Sequence, residues 1–227
     1  MRVLAVVEGP TEERFVKGLL AEPLGRRGVF ITARRPGHPG RQGGVPPWRN
    51  LQRELVGLLK EDANRHVTTM FDYYGMPVSW PGREEARNSS HAEKAELVEQ
   101  AMLHRIGEAL GGDPRTLRFI PYVQMHEFEA LLFSKPQLLA EVVSGERHTR
   151  RVPQELERIV AAFGSPEEID DNPDTAPSKR ILALAPQYQK VIDGNLAASR
   201  IGLAAMRRKC PHFAGWVGRL RALGRLP

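Results

Sequence analysis

The chain has 227 residues, 41% of them hydrophobic and 26% charged, with 33 Lys and Arg against 27 Asp and Glu. This is material for one large domain, or a core with a smaller appended part, and it excludes a disordered chain; the net charge of +6 admits a polyanionic partner without demanding one. One cysteine, Cys210, excludes an internal disulfide and any multi-cysteine zinc site. With no charged-then-apolar leader and no apolar run near the roughly 20 residues of a membrane span, the expectation is a cytoplasmic protein with no membrane partner.

Residues 2–8 form a short continuous apolar run closed by Gly9-Pro10, the pattern of a fully buried strand. Phe15, Val16, Leu19 and Leu20 then recur at helical spacing over 11–22, with Thr11 placed to cap the helix. Val29 to Ala33 is a second strand, running into a loop of Gly, Pro and cations, and 48–62 is a helix carrying Leu51, Leu55, Leu58 and Leu59. Val67 to Phe71 is a third strand ending at Asp72. Ser90 is a cap for a helix over about 91–110, and Leu117 to Val123 is a fourth strand, with Pro121 marking an edge or bulge. A short helix covers 126–133.

Strand and helix in alternation predict a mainly parallel α/β sheet of about four strands with helices on both faces. After residue 134 the strand signal stops, and helices are expected at about 136–143, 153–163, 178–192, 195–206 and 212–223. The expected organisation is therefore an α/β core over 1–134 and a helical region over 135–227 packed on it.

In a parallel sheet the strands end on one rim, where such folds bind ligands. Glu8 ends the first strand, Asp72 the third, and Glu127 and Glu129 follow the fourth; Glu12 lies one helical turn beyond Glu8. Carboxylates gathered at one rim suit Mg²⁺ or Mn²⁺, and such ions activate water for phosphodiester cleavage. Each acid also has an ordinary reading, as a helix-start acid for Glu8 and Glu12 or an Asx-turn for Asp72. Glu127 and Glu129, two residues apart, do not share a face of a regular helix, so only an extended start to that segment lets both reach a metal. His126 beside them is a ligand, an acid–base group or a hydrogen-bonded structural histidine. No zinc-peptidase, serine-hydrolase or phosphate-loop pattern occurs.

Two basic elements fit a polyanion: Arg34, Arg35 and Arg41 in the glycine-rich loop, and Arg207 and Arg208 in the C-terminal run. Lys179 and Arg180 stand at a helix start, where cations are unusual, and are candidate contacts to a phosphate or transition state. Tyr73, Tyr74 and Trp80 either stack bases or cover the sheet edge.

Val7-Glu8-Gly9-Pro10-Thr11-Glu12 after an apolar strand resembles the opening motif of Toprim domains, especially those of overcoming-lysogenization-defect (OLD) nucleases. The segments Phe71-Asp72-Tyr73-Tyr74-Gly75, His126-Glu127-Phe128-Glu129-Ala130-Leu131-Leu132-Phe133, Ala176-Pro177-Ser178-Lys179-Arg180-Ile181 and Cys210-Pro211-His212-Phe213 resemble a prokaryotic domain-of-unknown-function family regarded as Toprim-like. That resemblance spans nearly the whole chain. It implies a Toprim-like fold with Glu8 as first-strand glutamate and Asp72 as the first acid of an Asp-x-Asp pair. Tyr74 stands where the second acid belongs, and a neutral phenol does not replace a carboxylate on Mg²⁺. Glu12, Glu127 or Glu129 then completes the site, or one metal binds weakly, or the site is not catalytic. The activity implied is a metal-dependent phosphodiesterase, a DNA endonuclease of a prokaryotic defence system acting with an ATPase partner. The alternative is a catalytically inactive subunit that docks an ATPase or nucleic acid.

Overall fold

Val3, Ala5 and Val7 alternate with Leu4 and Val6 along the first strand, and all five are buried, so this strand is apolar on both faces. The computed structural model describes residues 1–37, 44–144, 151–169, 172 and 174–224. Its strands β1 (Arg2–Val7), β2 (Phe30–Arg34), β3 (Arg65–Asp72), β4 (Phe119–Ile120) and β5 (Val123–Gln124) form one sheet in the order β2-β1-β3-β4, with β5 continuing beside the end of β3. Every pairing is parallel. The α/β architecture expected from the alternation is present.

One face carries helix α1 (Pro10–Phe15), which runs through a π turn at Val16–Leu20 into α2 (Ala21–Gly25). The C-terminal helices lie over this same face: α5 (Pro136–Ser144), α6 (Arg151–Ala161), α7 (Pro177–Leu184), α8 (Asp193–Ile201), α9 (Leu203–Lys209) and α10 (Pro211–Ala222). Val3, Ala5, Val7 and Phe15 share one core with Leu139, Leu156, Ile181, Phe213 and Trp216. The opposite face packs Leu4 and Val6 against α3 (Trp48–Glu61) through Leu51, Leu55 and Leu59, and against α4 (His91–Ala109) through Val98 and Met102. Each such side chain contributes about 1.5–3 kcal/mol of burial, so both layers are integral to stability. Helix α4 starts as expected: Ser90 and Glu93 form a reciprocal capping box.

The fourth strand is split by Pro121, which has no N–H to give the ladder. Thr69 of β3 bridges the gap with its side chain: Oγ1 donates to Tyr122 O at 3.0 Å and accepts Tyr122 N–H at 2.9 Å. Its neighbour Thr68 donates to Ile120 O at 2.6 Å and accepts the Trp216 indole N–H at 2.8 Å, which ties α10 to the sheet.

Three local expectations are corrected. Gly9, not Thr11, is the N-cap of α1; it makes no side-chain bond, Pro10 is the first helical residue, and Thr11 is buried. The helix expected over 178–192 ends at Leu184, because Pro186 forces Ala185 out of helical backbone (φ −141°, ψ 80°). The helix expected over 195–206 is two helices broken at Gly202, whose φ of 79° favours glycine. Among the described residues no helix is long and apolar enough to cross a membrane.

Thr69→Val removes both bonds to Tyr122 without changing shape. It leaves a buried N–H unsatisfied and should lower unfolding free energy in urea by about 1–3 kcal/mol. Unchanged stability would dismiss the bridging role.

Candidate metal centre

The β1–β3 register pairs Val7 with Met70 and so brings the two strand ends together. Glu8 N–H donates to Met70 O at 3.1 Å, and Glu8 Oε2 accepts Asp72 N–H at 3.0 Å. Gly9 is extended (φ −152°), and a Cβ there would stand 3.3 Å from Glu12 Oε2, so glycine leaves room for the Glu12 carboxylate. At the end of β5 the chain turns at His126, whose φ of 33° is the one positive value at a non-glycine residue among those described. That conformation costs about 1–2 kcal/mol. Strain of this kind collects at functional sites. Glu127 follows in extended backbone, then a 3₁₀ helix, Phe128–Ser134, that buries Glu129 completely.

Lys190, on the turn between α7 and α8, is the cation that reaches these acids. Its Nζ is 3.0 Å from Glu129 Oε2, though not aligned for a hydrogen bond, and 3.7 Å from Asp72 Oδ2. On the same turn Tyr188 donates its hydroxyl to Glu129 Oε1 at 3.3 Å.

Burial pushes Glu8 up to about 7; the Asp72 N–H opposes this, and Glu12 adds to it. Burial likewise raises Glu12, Glu129 and Asp72, and Asp72 is pushed further by Glu8. Burial alone would weaken the charge on Lys190, but Asp72, Glu129 and Glu127 overcome it and hold the ammonium charged. Among the described residues the rim is thus a set of buried carboxyl groups with the Lys190 ammonium against them.

The other expected residues divide. Glu127 lies close enough to influence Glu8 and Lys190, yet both its oxygens are engaged by Ser178: Oε1 by the hydroxyl at 2.9 Å and Oε2 by the N–H at 2.8 Å. Lys179 is exposed on the first turn of α7, and no hydrogen bond or ion pair joins it to the acids. Arg180 donates to Thr175 O at 2.6 Å and lies over the Phe163 ring.

Arg34 and Arg35, at the end of β2, share the acidic rim and pair with Glu54 at 2.8 Å and Glu13 at 3.2 Å. Arg41 lies outside the described residues. Arg207 and Arg208 lie in the last turn of α9; Arg221 feels the charges of both Arg207 and Arg27, and Arg27 precedes β2, at the opposite end of the sheet. Tyr73 and Trp80 are buried and pack the sheet edge, so they are closed to base stacking. Tyr74, half-buried, donates its N–H to His126 O at 2.9 Å. His126 is buried with its ring edge-on to Tyr73. Sequence reasoning missed Lys190 and Tyr188. The break at Pro186 marks that stretch as a turn rather than a helix interior, without showing what the turn carries to the rim.

The cluster fits a hard divalent ion in two respects. Its donors are all carboxylate oxygens, and Asp72 Oδ1 is buried with no hydrogen-bond partner. Among the described residues, however, no three His, Cys, Asp or Glu side chains close on a common point. In this arrangement Lys190 provides the neutralising charge.

A family model described as Domain of unknown function (DUF4276) matches residues 7–221. Among solved structures the chain is similar to the C-terminal region of the Burkholderia pseudomallei OLD protein, with TM-score 0.50, 14% identity and 98% of both chains covered. The C-terminal region of the Xanthomonas campestris pv. campestris OLD protein gives TM-score 0.34, 18% identity and 96% of both chains. No curated protein matches. The first of these likenesses supports the same α/β fold.

Because Glu8 holds its proton up to about pH 7 when folded but only to 4.5 when unfolded, the native state binds more protons between these values. Its contribution to stability therefore falls as pH rises through that window. Chelator-treated protein should lose more melting temperature between pH 5.5 and 8 than Glu8→Gln does, and Mn²⁺ should restore the loss at pH 8. Identical pH profiles for the two proteins would remove Glu8 from the cluster's electrostatics.

Proposed function

The chain belongs to the DUF4276 family, and from that membership, the OLD-like fold and the acidic rim we propose that it is a Toprim-like, Mg²⁺- or Mn²⁺-dependent phosphodiesterase. Its expected role is that of a DNA endonuclease in prokaryotic defence, acting with an ATPase partner. The observation that carries this reading is the contact between Glu8 Oε2 and the Asp72 N–H at 3.0 Å, which brings acids from two strand ends to one buried rim.

Glu8 and Asp72 would hold the ion, with Glu12 and Glu129 drawn in by it, since no three such side chains among the described residues close on a common point without it. A bound divalent ion supplies positive charge to a phosphoryl oxygen and an acidified water as nucleophile. Lys190 keeps its proton and stands between Asp72 and Glu129, so its ammonium is the group suited to a non-bridging oxygen of the scissile phosphate. This is the role the sequence suggested for Lys179. Arg34 and Arg35, on the same rim, are suited to the neighbouring phosphates of a nucleic-acid backbone. Arg207 and Arg208, at the far end of the strands, suit a second stretch of polyanion.

A second reading has its own support. Tyr74 in place of a carboxylate and the neutralisation of the cluster by Lys190 favour a catalytically inactive subunit that uses the rim to dock an ATPase or nucleic acid.

Glu8→Ala should abolish Mg²⁺-dependent plasmid nicking while leaving the circular dichroism spectrum intact; undiminished nicking would reject the assignment. Calorimetric titration separates the two readings. Saturable Mn²⁺ binding that vanishes in Asp72→Ala favours the enzyme, whereas no binding up to millimolar Mn²⁺ favours the docking subunit.

A further inference from the structure

Helix α7 begins without a cap of its own. Its N-cap residue is Ala176, which has no side-chain acceptor, and Pro177 fills the first helical position. The orphan N–H groups of a helix start need acceptors. Here the acceptor comes from 51 residues away: Glu127 takes the Ser178 N–H on one oxygen, at 2.8 Å, and the Ser178 hydroxyl on the other, at 2.9 Å. The two contacts engage both oxygens of the Glu127 carboxyl group at Ser178, in the bidentate manner that fixes orientation as well as distance.

What this contact positions lies a few residues on. Helix α7 ends at Leu184, and the chain keeps hydrogen-bonded turns through Ala185 N–H to Ile181 O at 2.8 Å and Tyr188 N–H to Ala185 O at 3.0 Å. The turn then delivers Tyr188 to Glu129 and Lys190 to Glu129 and Asp72. Its far side is fixed too. A Cβ at Gly194 would stand 2.7 Å from the Tyr188 hydroxyl, and Asn195 of α8 donates to Thr11 O at 3.2 Å. Glu127 and Glu129, two residues apart, thus hold the two ends of one segment.

We propose that Glu127 is a positioning residue rather than a metal ligand: clamped to Ser178, it seats α7 and thereby sets Lys190 between Asp72 and Glu129. The inference rests on the proposed function only in the use it gives to Lys190; the clamp itself stands on the contacts with Ser178. It also assigns a purpose to the Ala176-Pro177-Ser178 motif, in which Ser178 and not the neighbouring Lys179 is the working residue.

The test uses full-length protein and the variants Glu127→Gln, Ser178→Ala, their double, and Asp72→Asn. Ser178→Ala is the mild variant, since it keeps the backbone N–H bond to Glu127. In metal-free buffer, acylation of Lys190 by acetic anhydride, followed by mass spectrometry, should run several-fold faster in Glu127→Gln and in Ser178→Ala than in wild type. The losses in thermal stability of the two single variants should not add in the double variant. Where wild type binds Mn²⁺, Glu127→Gln should keep its affinity within about threefold, since its oxygens go to Ser178, while Asp72→Asn, which loses a charged ligand, should lose about tenfold or more. Unchanged Lys190 labelling, additive stability losses, or a Mn²⁺ defect in Glu127→Gln matching that of Asp72→Asn would each overturn the proposal. A wild type that binds no Mn²⁺ would instead count against the metal reading, with the labelling and stability arms still deciding the clamp.

Discussion

Everything at the rim depends on the hydrogen bond between the Glu8 carboxylate and the Asp72 amide. Two parallel neighbours in fixed register have no choice about where they end, and here both end in acids. Bringing carboxylates together in a dry place is unfavourable twice over, through lost hydration and mutual repulsion. The fold tolerates it because the large apolar layers on the two faces of the sheet offset a local penalty of this size. Such a cluster works against stability, and departures of this kind are typical of functional sites.

The second constraint is that relief comes from the other half of the chain. Lys190 reaches Asp72 and Glu129, Tyr188 reaches Glu129, and Asn195 reaches the backbone of Thr11. The C-terminal helices therefore complete the rim as well as covering the sheet. Their apolar residues and those of β1 form one continuous core, which makes the chemistry of the rim and the packing beneath it a joint product.

The sheet was legible because its signals are local. Runs such as Val3 to Val7 are too short and too apolar for a surface helix, and Gly9-Pro10 closes the first of them unmistakably. The convergence of Glu8, Asp72 and Glu129 followed from parallelism alone, which carries strand ends to one side whatever their separation in sequence. Lys190 was not legible, because nothing in a turn lysine announces a partner 118 residues earlier. Glu127 was ambiguous for a related reason. A carboxylate next to a metal site and a carboxylate capping a remote helix look the same in sequence, and the missing cap at Ala176 is the only hint of the second. Tyr73 and Trp80 were undecided until burial placed them in the core.

The indole of Trp216 bonds to Thr68, 148 residues before it. The acids of the rim leave the ribosome before the groups that settle them. Until α8 and α10 emerge, the nascent chain carries an uncovered sheet face and carboxylates without their lysine, so its landscape favours late, concerted closure over stepwise accretion. The rim is thereby finished only once these later segments have emerged, and shorter nascent chains carry its acids without Lys190.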